Sequence, residues 1–455
     1  MKTRVPRIYV HTLGCSKNLV DSEVFIAQAK ANAFLISDTP DNADVMVVNT
    51  CGFIEEAKQE SINSILQGVD LKKRGDIKKL LVMGCLSQRY SDDLQREIPE
   101  VDRYFGAHHL DEILRELGGE YKHELLGERE VTTPRHYAYL KISEGCDNPC
   151  SFCAIPLMRG GHKSKSMDHI LIEAARLQAH GVRELILIAQ DLTYYGLDLY
   201  NERKLDELLL RLSDMGFDWI RLLYAYPAKF PVQILPVIRE RENICNYLDM
   251  PIQHTNTEVL KSMRRGVTEK RLRELIGQIR DEVPGIRLRT TVIVGYPEET
   301  RGHFESMLEC LDDLKFDRLG VFPYSQEDDT FAFPLGDKIS KKEKLIRVKE
   351  VMGLQERISL EKNRELTGST LKIMLDRIEN GTAYGRTEFD TPEVDNEFIV
   401  QGARPGFDLS TLKEGEFYLA EVNDAEAFDL FGEIVSKVPS KSATFVPAYG
   451  IPEVR

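Results

Sequence analysis

Short apolar runs and helix-like stretches alternate along the first three quarters of this chain, and that alternation leaves few folds open. Parallel strands cannot be joined by a tight turn, so strands separated by helices imply parallel sheets with helices on their faces. The runs are continuously apolar rather than alternating in polarity, as a strand covered on both sides requires. Three such units come first. Residues 7–13 end at Gly14-Cys15, residues 44–50 at Cys51-Gly52, and residues 80–83 at Gly84-Cys85. A helical pattern is expected from Asp21, with Val24, Ala27 and Ala31 on one face, and the helix after the second run ends near Gly75. Residues 5–120 are therefore expected to form an α/β domain, a three-layer arrangement around a parallel sheet.

A polar stretch over 120–135, containing Pro134, reads as a linker. Six more strand-like runs follow at 139–142, 185–188, 220–224, 247–250, 288–294 and 318–322, again separated by helical patterns. Six βα units predict a partial (βα)6 barrel of the TIM type over 132–363, closed by a charged helix from Ser340 to about Asn363. Such barrels carry their chemistry at the carboxyl ends of the strands. The rim candidates are Gln190-Asp191, Tyr226-Pro227, Gln253-His254 and Gly295-Tyr296-Pro297. After residue 365 the pattern changes to short runs at 371–375, 381–386, 397–400 and 417–422, broken by turns. These predict a small antiparallel β-barrel or sandwich over 365–436.

The cysteines fall on this scaffold in a pattern. Cys146, Cys150 and Cys153 form one short run just after the first barrel strand, with no fourth cysteine nearby. Iron–sulfur cubes take about one thiolate per iron, so three thiolates imply a cluster with one iron open to a small molecule. A zinc knuckle would want a fourth ligand close by, and the next histidine is His162. Cys15, Cys51 and Cys85 each end a strand of the first domain. In open α/β sheets those ends line one edge, where ligands bind. Taken singly, each could be a buried structural thiol; taken together they point to a second three-thiolate cluster. Cys245 and Cys310, the remaining two of the 8 cysteines, sit in apolar context and read as core thiols.

Charge and composition narrow the partners. Between Arg364 and Ser436 there are six basic and sixteen acidic residues, a net −10 out of −14 for the whole chain. Such a module repels phosphate backbones and attracts basic proteins, unless the charge merely solvates the surface. The one tryptophan, Trp219, offers little aromatic platform for nucleic acid. No apolar stretch reaches eighteen residues, and the opening residues 1–6 show no apolar leader, so a cytoplasmic location without membrane partners is expected. Thiols are kept reduced there, which favours metal binding over disulfides.

The Cys146-x-x-x-Cys150-x-Phe152-Cys153 run on a βα barrel resembles the radical S-adenosylmethionine enzymes. With the three-cysteine domain before it and the small β-domain after it, which is similar to a TRAM module, the chain resembles the methylthiotransferases of that group. Residues 12–23, 155–160, 247–254 and 386–395 are similar to the branch that modifies an aspartate of a small-subunit ribosomal protein. The loop 161–165, Gly-His-Lys-Ser-Lys, departs from the pattern of relatives. The resemblance implies two 4Fe–4S clusters, one on Cys146, Cys150 and Cys153 and an auxiliary one on Cys15, Cys51 and Cys85. It implies that the first binds S-adenosylmethionine and cleaves it on reduction. The resulting 5′-deoxyadenosyl radical takes hydrogen from an unactivated carbon, which no side-chain base deprotonates near neutral pH. The auxiliary cluster would supply the sulfur, methylated by a second S-adenosylmethionine. Phe152 would pack near the adenine, Gln190 and Asp191 would contact the cofactor, and Gly295 and Glu298 would shape its pocket. The implied partners are a basic ribosomal protein and an electron donor. The alternative is tRNA adenosine as substrate, and a third reading makes the chain an iron–sulfur carrier with no enzymatic activity.

Overall fold

The computed structural model describes residues 5–125 and 127–439, so residues 1–4 of the opening segment lie outside it. The first unit is a five-stranded, all-parallel sheet in the order Leu35–Ser37, Arg7–Thr12, Val45–Thr50, Lys79–Gly84, Arg103–Tyr104. Along Val45–Thr50 the side chains alternate between two apolar layers. Val45 and Val47 join Ile8, Leu81 and Met83 on one face; Met46 and Val48 join Leu80 and Val82 on the other. Burial on both faces is why the strand reads as one unbroken apolar run. The two edge strands escaped the sequence reading because three and two residues are too few to show a period.

The first helix corrects the expectation. It spans Ser16–Ala31, starting directly on Cys15 instead of at Asp21. Val24, Ala27 and Ala31 are only half-buried, whereas Lys17, Asn18, Asp21, Ser22, Glu23 and Gln28 are buried beside Val20, Phe25, Ile26 and Ala29. A helix covered on two sides by different partners has no single apolar stripe for a period to reveal.

The second unit is a six-stranded parallel sheet whose order follows the chain: Tyr137–Lys141, Glu184–Ile188, Trp219–Leu222, Ile244–Asp249, Arg287–Val294, Arg318–Pro323. Neighbouring units in sequence are neighbours in space, as right-handed βα crossovers require, and the curled sheet is a partial barrel. The helix Lys341–Arg364 leads out of it. Among the described residues no helix is long and apolar enough to cross a membrane.

The stretch expected to be a linker is a packed strap. Arg129, 7% exposed, sits between Glu23 of the first unit (3.1 Å) and Glu173 of the second (3.4 Å), and donates to the Tyr139 carbonyl. The Glu23 carboxylate also accepts from Thr132 N–H at 2.7 Å. Arg129 faces buried partners, while Glu120, Glu124, Glu130 and Arg135 face water.

The third unit is a closed five-stranded barrel: Thr370–Glu379, Thr382–Thr387, Glu397–Ala403, Asp429–Lys437, Phe417–Ala425. It is antiparallel apart from the pair Glu397–Ala403 and Asp429–Lys437. That last strand was not read from the sequence; its inward residues Leu430, Gly432 and Ile434 include a glycine that breaks the apolar alternation. Trp219 packs edge-on against Phe417, ring centroids 4.7 Å apart, and is buried at the seam between barrel and core.

Part of the acidic excess of this unit faces inward. Asp390 pairs with Arg318 at 2.7 Å, Asp395 with Arg289 at 3.3 Å and with the Tyr247 hydroxyl at 2.6 Å, and Asp376 with His136 at 2.8 Å. Arg386 of the barrel reaches the fully buried Glu184 of the core and, at 2.8 Å, Asp376. These acids are neither solvated nor free to meet a partner. Exposed on the outside remain Glu365, Glu379, Glu393, Asp408, Glu414, Asp424 and Glu426, against Arg364, Arg404, Lys413 and Lys437, so the outer surface is still acidic.

Arg386→Ala leaves Glu184 and Asp376 without their shared cation, and the expected loss is about 3–5 kcal/mol in chemical denaturation at pH 7. Burial, the largest influence on each, would push the Glu184 and Asp376 carboxyls up, but Arg386, together with Arg221 at Glu184 and His136 at Asp376, holds both below the ordinary range. A depressed carboxylate contributes stability that is complete above its unfolded pKa and lost as pH falls through the folded one. The gap between wild type and variant is therefore full at pH 7 and shrinks below about pH 4. A gap that stayed constant down to pH 3 would contradict this account.

Candidate metal centre

Three neighbouring strands of the first sheet deliver Cys15, Cys51 and Cys85 to one edge. Cys15 caps the helix Ser16–Ala31, Cys51 follows Val45–Thr50, and Cys85 opens the helix Cys85–Glu97. Asn18, fully buried, ties the three turns together. Its Nδ2 donates to the carbonyls of Leu13 (2.9 Å) and Thr50 (3.0 Å), and its Oδ1 lies 3.7 Å from Cys85 Sγ. Gly14 has φ +86°, and a Cβ there would sit 2.7 Å from Cys51 Cβ, so only glycine lets the first two cysteine turns close up. Cys15 is exposed; Cys51 and Cys85 are buried. Burial pushes the Cys85 thiol up to about 12, the Arg159 guanidinium beside it countering this only in part, and burial also raises Cys51.

The second trio lies in the loop after the first barrel strand. Ser143–Glu144 pairs with Lys163–Ser164, so the departing loop 161–165 forms the hairpin partner of the segment that leads into Cys146. Cys146 N–H donates to the Gly160 carbonyl at 3.1 Å, which closes the loop at its base. Gly145 permits this at φ +76°, since a Cβ would meet the Gly161 oxygen at 2.1 Å. Asn148 Nδ2 lies 3.4 Å from Cys146 Sγ, and Arg265, fully buried in the core, donates to Cys150 Sγ at 3.1 Å. The Tyr226 hydroxyl is 3.6 Å from the same sulfur. Burial raises the Cys146 thiol to about 11 and the Cys153 thiol to about 12.

The rim positions separate by side-chain direction. Phe152 is half-buried and packs with Val259, Met263, Tyr296, Tyr324 and Ala332. Gln190 donates to Glu144 at 2.5 Å, and its Oε1 is buried without a hydrogen-bond partner. Asp191 spends both oxygens locally, on Thr193 (2.7 and 2.8 Å) and Asn148 (2.8 Å), so it holds a turn. Gly295 ends a barrel strand at φ +76°. Glu298 is exposed; its neighbour Glu299, 2% exposed, is the acid that points inward, accepting from Gly295 N–H at 2.9 Å and pairing with Arg347 and, at 3.3 Å, His254. His254 accepts a hydrogen bond from Asn256 N–H at 3.0 Å through Nδ1, and Cys245 and Cys310 are core thiols at 1% exposure. The sequence reading gave no site role to Asn18, Arg159, Arg265 or Glu299, although Asn18 and Arg159 lie in the family-like stretches 12–23 and 155–160. For Arg265 and Glu299 the one signal is a polar residue where an apolar one would fit.

Among the described residues no three His, Cys, Asp or Glu side chains converge as the ligands of a single ion would. The donor set that each loop offers is three thiols and no fourth, which suits a multi-iron cube with one open iron. Each trio also has a buried arginine N–H on one sulfur, Arg159 on Cys85 (3.2 Å) and Arg265 on Cys150. Such donors suit thiolates that carry negative charge onto a metal group. The residues present fit the implied clusters.

Residues 7–106 match the family described as "Uncharacterized protein family UPF0004", residues 140–311 the "Radical SAM superfamily", and residues 367–435 the "TRAM domain". A curated protein of Chloroherpeton thalassium named "Ribosomal protein uS12 methylthiotransferase RimO" is 56% identical over 435 residues, covering 96% of this chain and 100% of that one. One of the same name from Chlorobaculum parvum is 51% identical, covering 95% and 98%. Among solved structures, the radical S-adenosylmethionine methyltransferase TsrM from Kitasatospora setae aligns with a TM-score of 0.55 at 11% identity, over 82% of this chain and 79% of that one, a likeness of fold. With half or more of its residues shared along nearly its entire length, the chain belongs to the family of ribosomal protein uS12 methylthiotransferases.

Proposed function

We propose that this protein inserts a methylthio group at the β-carbon of an aspartate in ribosomal protein uS12. It is an enzyme of the radical S-adenosylmethionine methylthiotransferase type. The observation that carries the reading is that two three-cysteine sites, on the carboxyl edges of two different parallel sheets, are joined through Arg159, which lies six residues after Cys153 and donates to Cys85 Sγ at 3.2 Å. In this reading residues 5–120 carry the auxiliary site, 132–363 the radical site and 365–436 the docking module.

Cys146, Cys150 and Cys153 would hold one 4Fe–4S cluster, and Cys15, Cys51 and Cys85 the second. When bound, these groups and S-adenosylmethionine would supply one-electron reduction, hydrogen abstraction from an unactivated carbon, and the sulfur and methyl for transfer. The protein's part is placement and exclusion of water. Arg265 and Tyr226 hold Cys150 from the barrel side, and Asn148 links Cys146 to Asp191, fixing the loop against the sheet. Phe152 offers its ring as a wall for the adenine, and the unpartnered Oε1 of Gln190 is a buried acceptor for the cofactor's ammonium or hydroxyl donors. Gly295 keeps the strand end free of a side chain. Asp191 acts through the turn it holds, and Glu298 has no part in the pocket, its place taken by Glu299. The acidic outer face of the last unit favours a basic ribosomal protein over tRNA, whose phosphates it would repel. A reductant must supply electrons, and the ribosomal substrate places the enzyme in the cytoplasm.

Cys150→Ala should abolish formation of 5′-deoxyadenosine from S-adenosylmethionine under anaerobic reduction, read by chromatography of the small-molecule products. Cys51→Ala should still make 5′-deoxyadenosine yet add no methylthio group to uS12 in intact-mass spectra. Full product from this variant would remove the second trio from the sulfur-donor role. Wild-type enzyme offered both uS12 and unmodified tRNA should modify the protein alone; methylthio-adenosine in the tRNA digest would reverse the choice of substrate.

A further inference from the structure

The chemistry proposed above needs two sites held at a fixed separation, yet they belong to two sheets joined by a strap. One side chain spans the gap. Arg159 ends the short helix Ile155–Arg159 that follows Cys153, and it is 4% exposed. Its guanidinium points out of the barrel unit into the first unit. Nε donates to Cys85 Sγ at 3.2 Å, Nη1 to Asp21 at 2.6 Å, and Nη2 to Asn18 Oδ1. Nη1 also lies 3.3 Å from Glu144, two residues before Cys146. Behind Arg159, its own carbonyl is 3.2 Å from His108 Nε2 of the first unit.

Through Asn18 the fork reaches every turn of the auxiliary trio, because Asn18 holds the Leu13 and Thr50 carbonyls that precede Cys15 and Cys51. Through Glu144 it reaches the radical loop, since Glu144 also accepts from Lys141 (2.6 Å) and Gln190 (2.5 Å). Charge in the network balances: Arg159 and Lys141 against Asp21 and Glu144. The two acids engage Nη1 and the Asn18 amide engages Nη2, which leaves Nε–H for the sulfur. A planar fork with fixed donor directions does this; a lysine ammonium, one compact charge on a flexible stem, does not.

We propose that Arg159 is a positioning residue shared by the two sites. It locks the auxiliary trio to the radical loop, and its Nε–H on Cys85 raises the reduction potential of the group that Cys15, Cys51 and Cys85 hold. The inference rests on the assignment of both trios as cluster ligands. Hydrogen bonds to ligand sulfurs stabilise the reduced, more negative state of such groups, which sets the direction of the shift.

The test isolates the auxiliary site in the full chain carrying Cys146→Ala, Cys150→Ala and Cys153→Ala, reconstituted anaerobically with iron and sulfide. Iron content, thermal midpoint and an EPR-monitored redox titration are then compared with Arg159→Lys, Arg159→Gln and Asp21→Asn added. Arg159→Lys and Arg159→Gln should keep the iron while the midpoint potential moves to more negative values, and the lysine variant should melt close to the parent. Asp21→Asn, which removes the ion pair and leaves the sulfur contact, should lower the melting temperature without a negative shift. In the otherwise native enzyme, Arg159→Lys should raise 5′-deoxyadenosine formed per methylthio product several-fold. Unmoved potentials in iron-replete Arg159 variants would overturn the inference and reduce Arg159 to an interface ion pair. A parent triple variant that bound no iron would instead overturn the assignment of Cys15, Cys51 and Cys85, and the inference with it.

Discussion

Parallel strands can follow one another only through a crossover, so every strand in such a sheet ends on the same side. That constraint acts twice in this chain. It gathers the turns bearing Cys15, Cys51 and Cys85 on one edge, and the loop bearing Cys146, Cys150 and Cys153 on another. The remaining freedom is how the two edges face each other. Helix Cys85–Glu97 of the first unit packs on helix Ile155–Arg159 of the second, so each edge looks into the other's loops. The two cysteine trios thereby meet at one interface, with Cys85 packed against Ala154, Ile155 and Met158.

What holds the units in register is buried charge, much of it on arginine. Arg129 lies between Glu23 and Glu173, Arg89 meets Glu327 at 2.6 Å, and Arg221 meets Glu184 at 2.7 Å beneath the barrel. Apolar seams of the same area would bury surface at least as favourably, since desolvating a charge pair cancels much of its attraction. They would also slide. A bidentate or forked contact has one geometry, and several of them at separate points on three units define one relative placement. Arg221 shows the pattern at its fullest: it is completely buried, it ion-pairs with Glu184, and it donates to the Glu388 carbonyl of the barrel at 2.7 Å. We read these contacts as specificity devices more than as sources of stability.

Cys15, Cys51 and Cys85 were legible in the sequence because they follow strands buried on both faces, and Cys146, Cys150 and Cys153 because they share one short run. The six barrel strands were legible as apolar runs separated by helical patterns. What was not legible has a common cause, which is polar residues buried against partners distant in sequence. Asp21, Glu23 and Asn18 made the first helix look as though it began late, since they broke the apolar face that a helix search follows. Arg129 and Thr132 made a strap look like a linker. At the rim, Glu298 and Glu299 are adjacent carboxylates of one turn, and only the backbone direction decides which faces inward. Arg159 sits at the end of Ile-Pro-Leu-Met-Arg, where a charged residue closing a short helix shows no role until Cys85, Asp21 and Asn18, all more than seventy residues away, are seen beside it.

The seam under the terminal barrel has a bearing on how the molecule comes into being. Asp390 and Asp395, the partners of Arg318 and Arg289, leave the ribosome after the core strands that they meet. Glu184, too, meets Arg386 only when the barrel has closed. Until then Arg318 lacks its carboxylate partner, Arg289 and Arg221 keep only Asp249 and Glu184 of the core, and Trp219 and Tyr247 lie bare beside them. The terminal unit is therefore the lid that finishes the core as well as an appendage to it. A chain truncated near residue 365 would be born with that aromatic floor open and with Glu184 short of one of its two guanidinium partners.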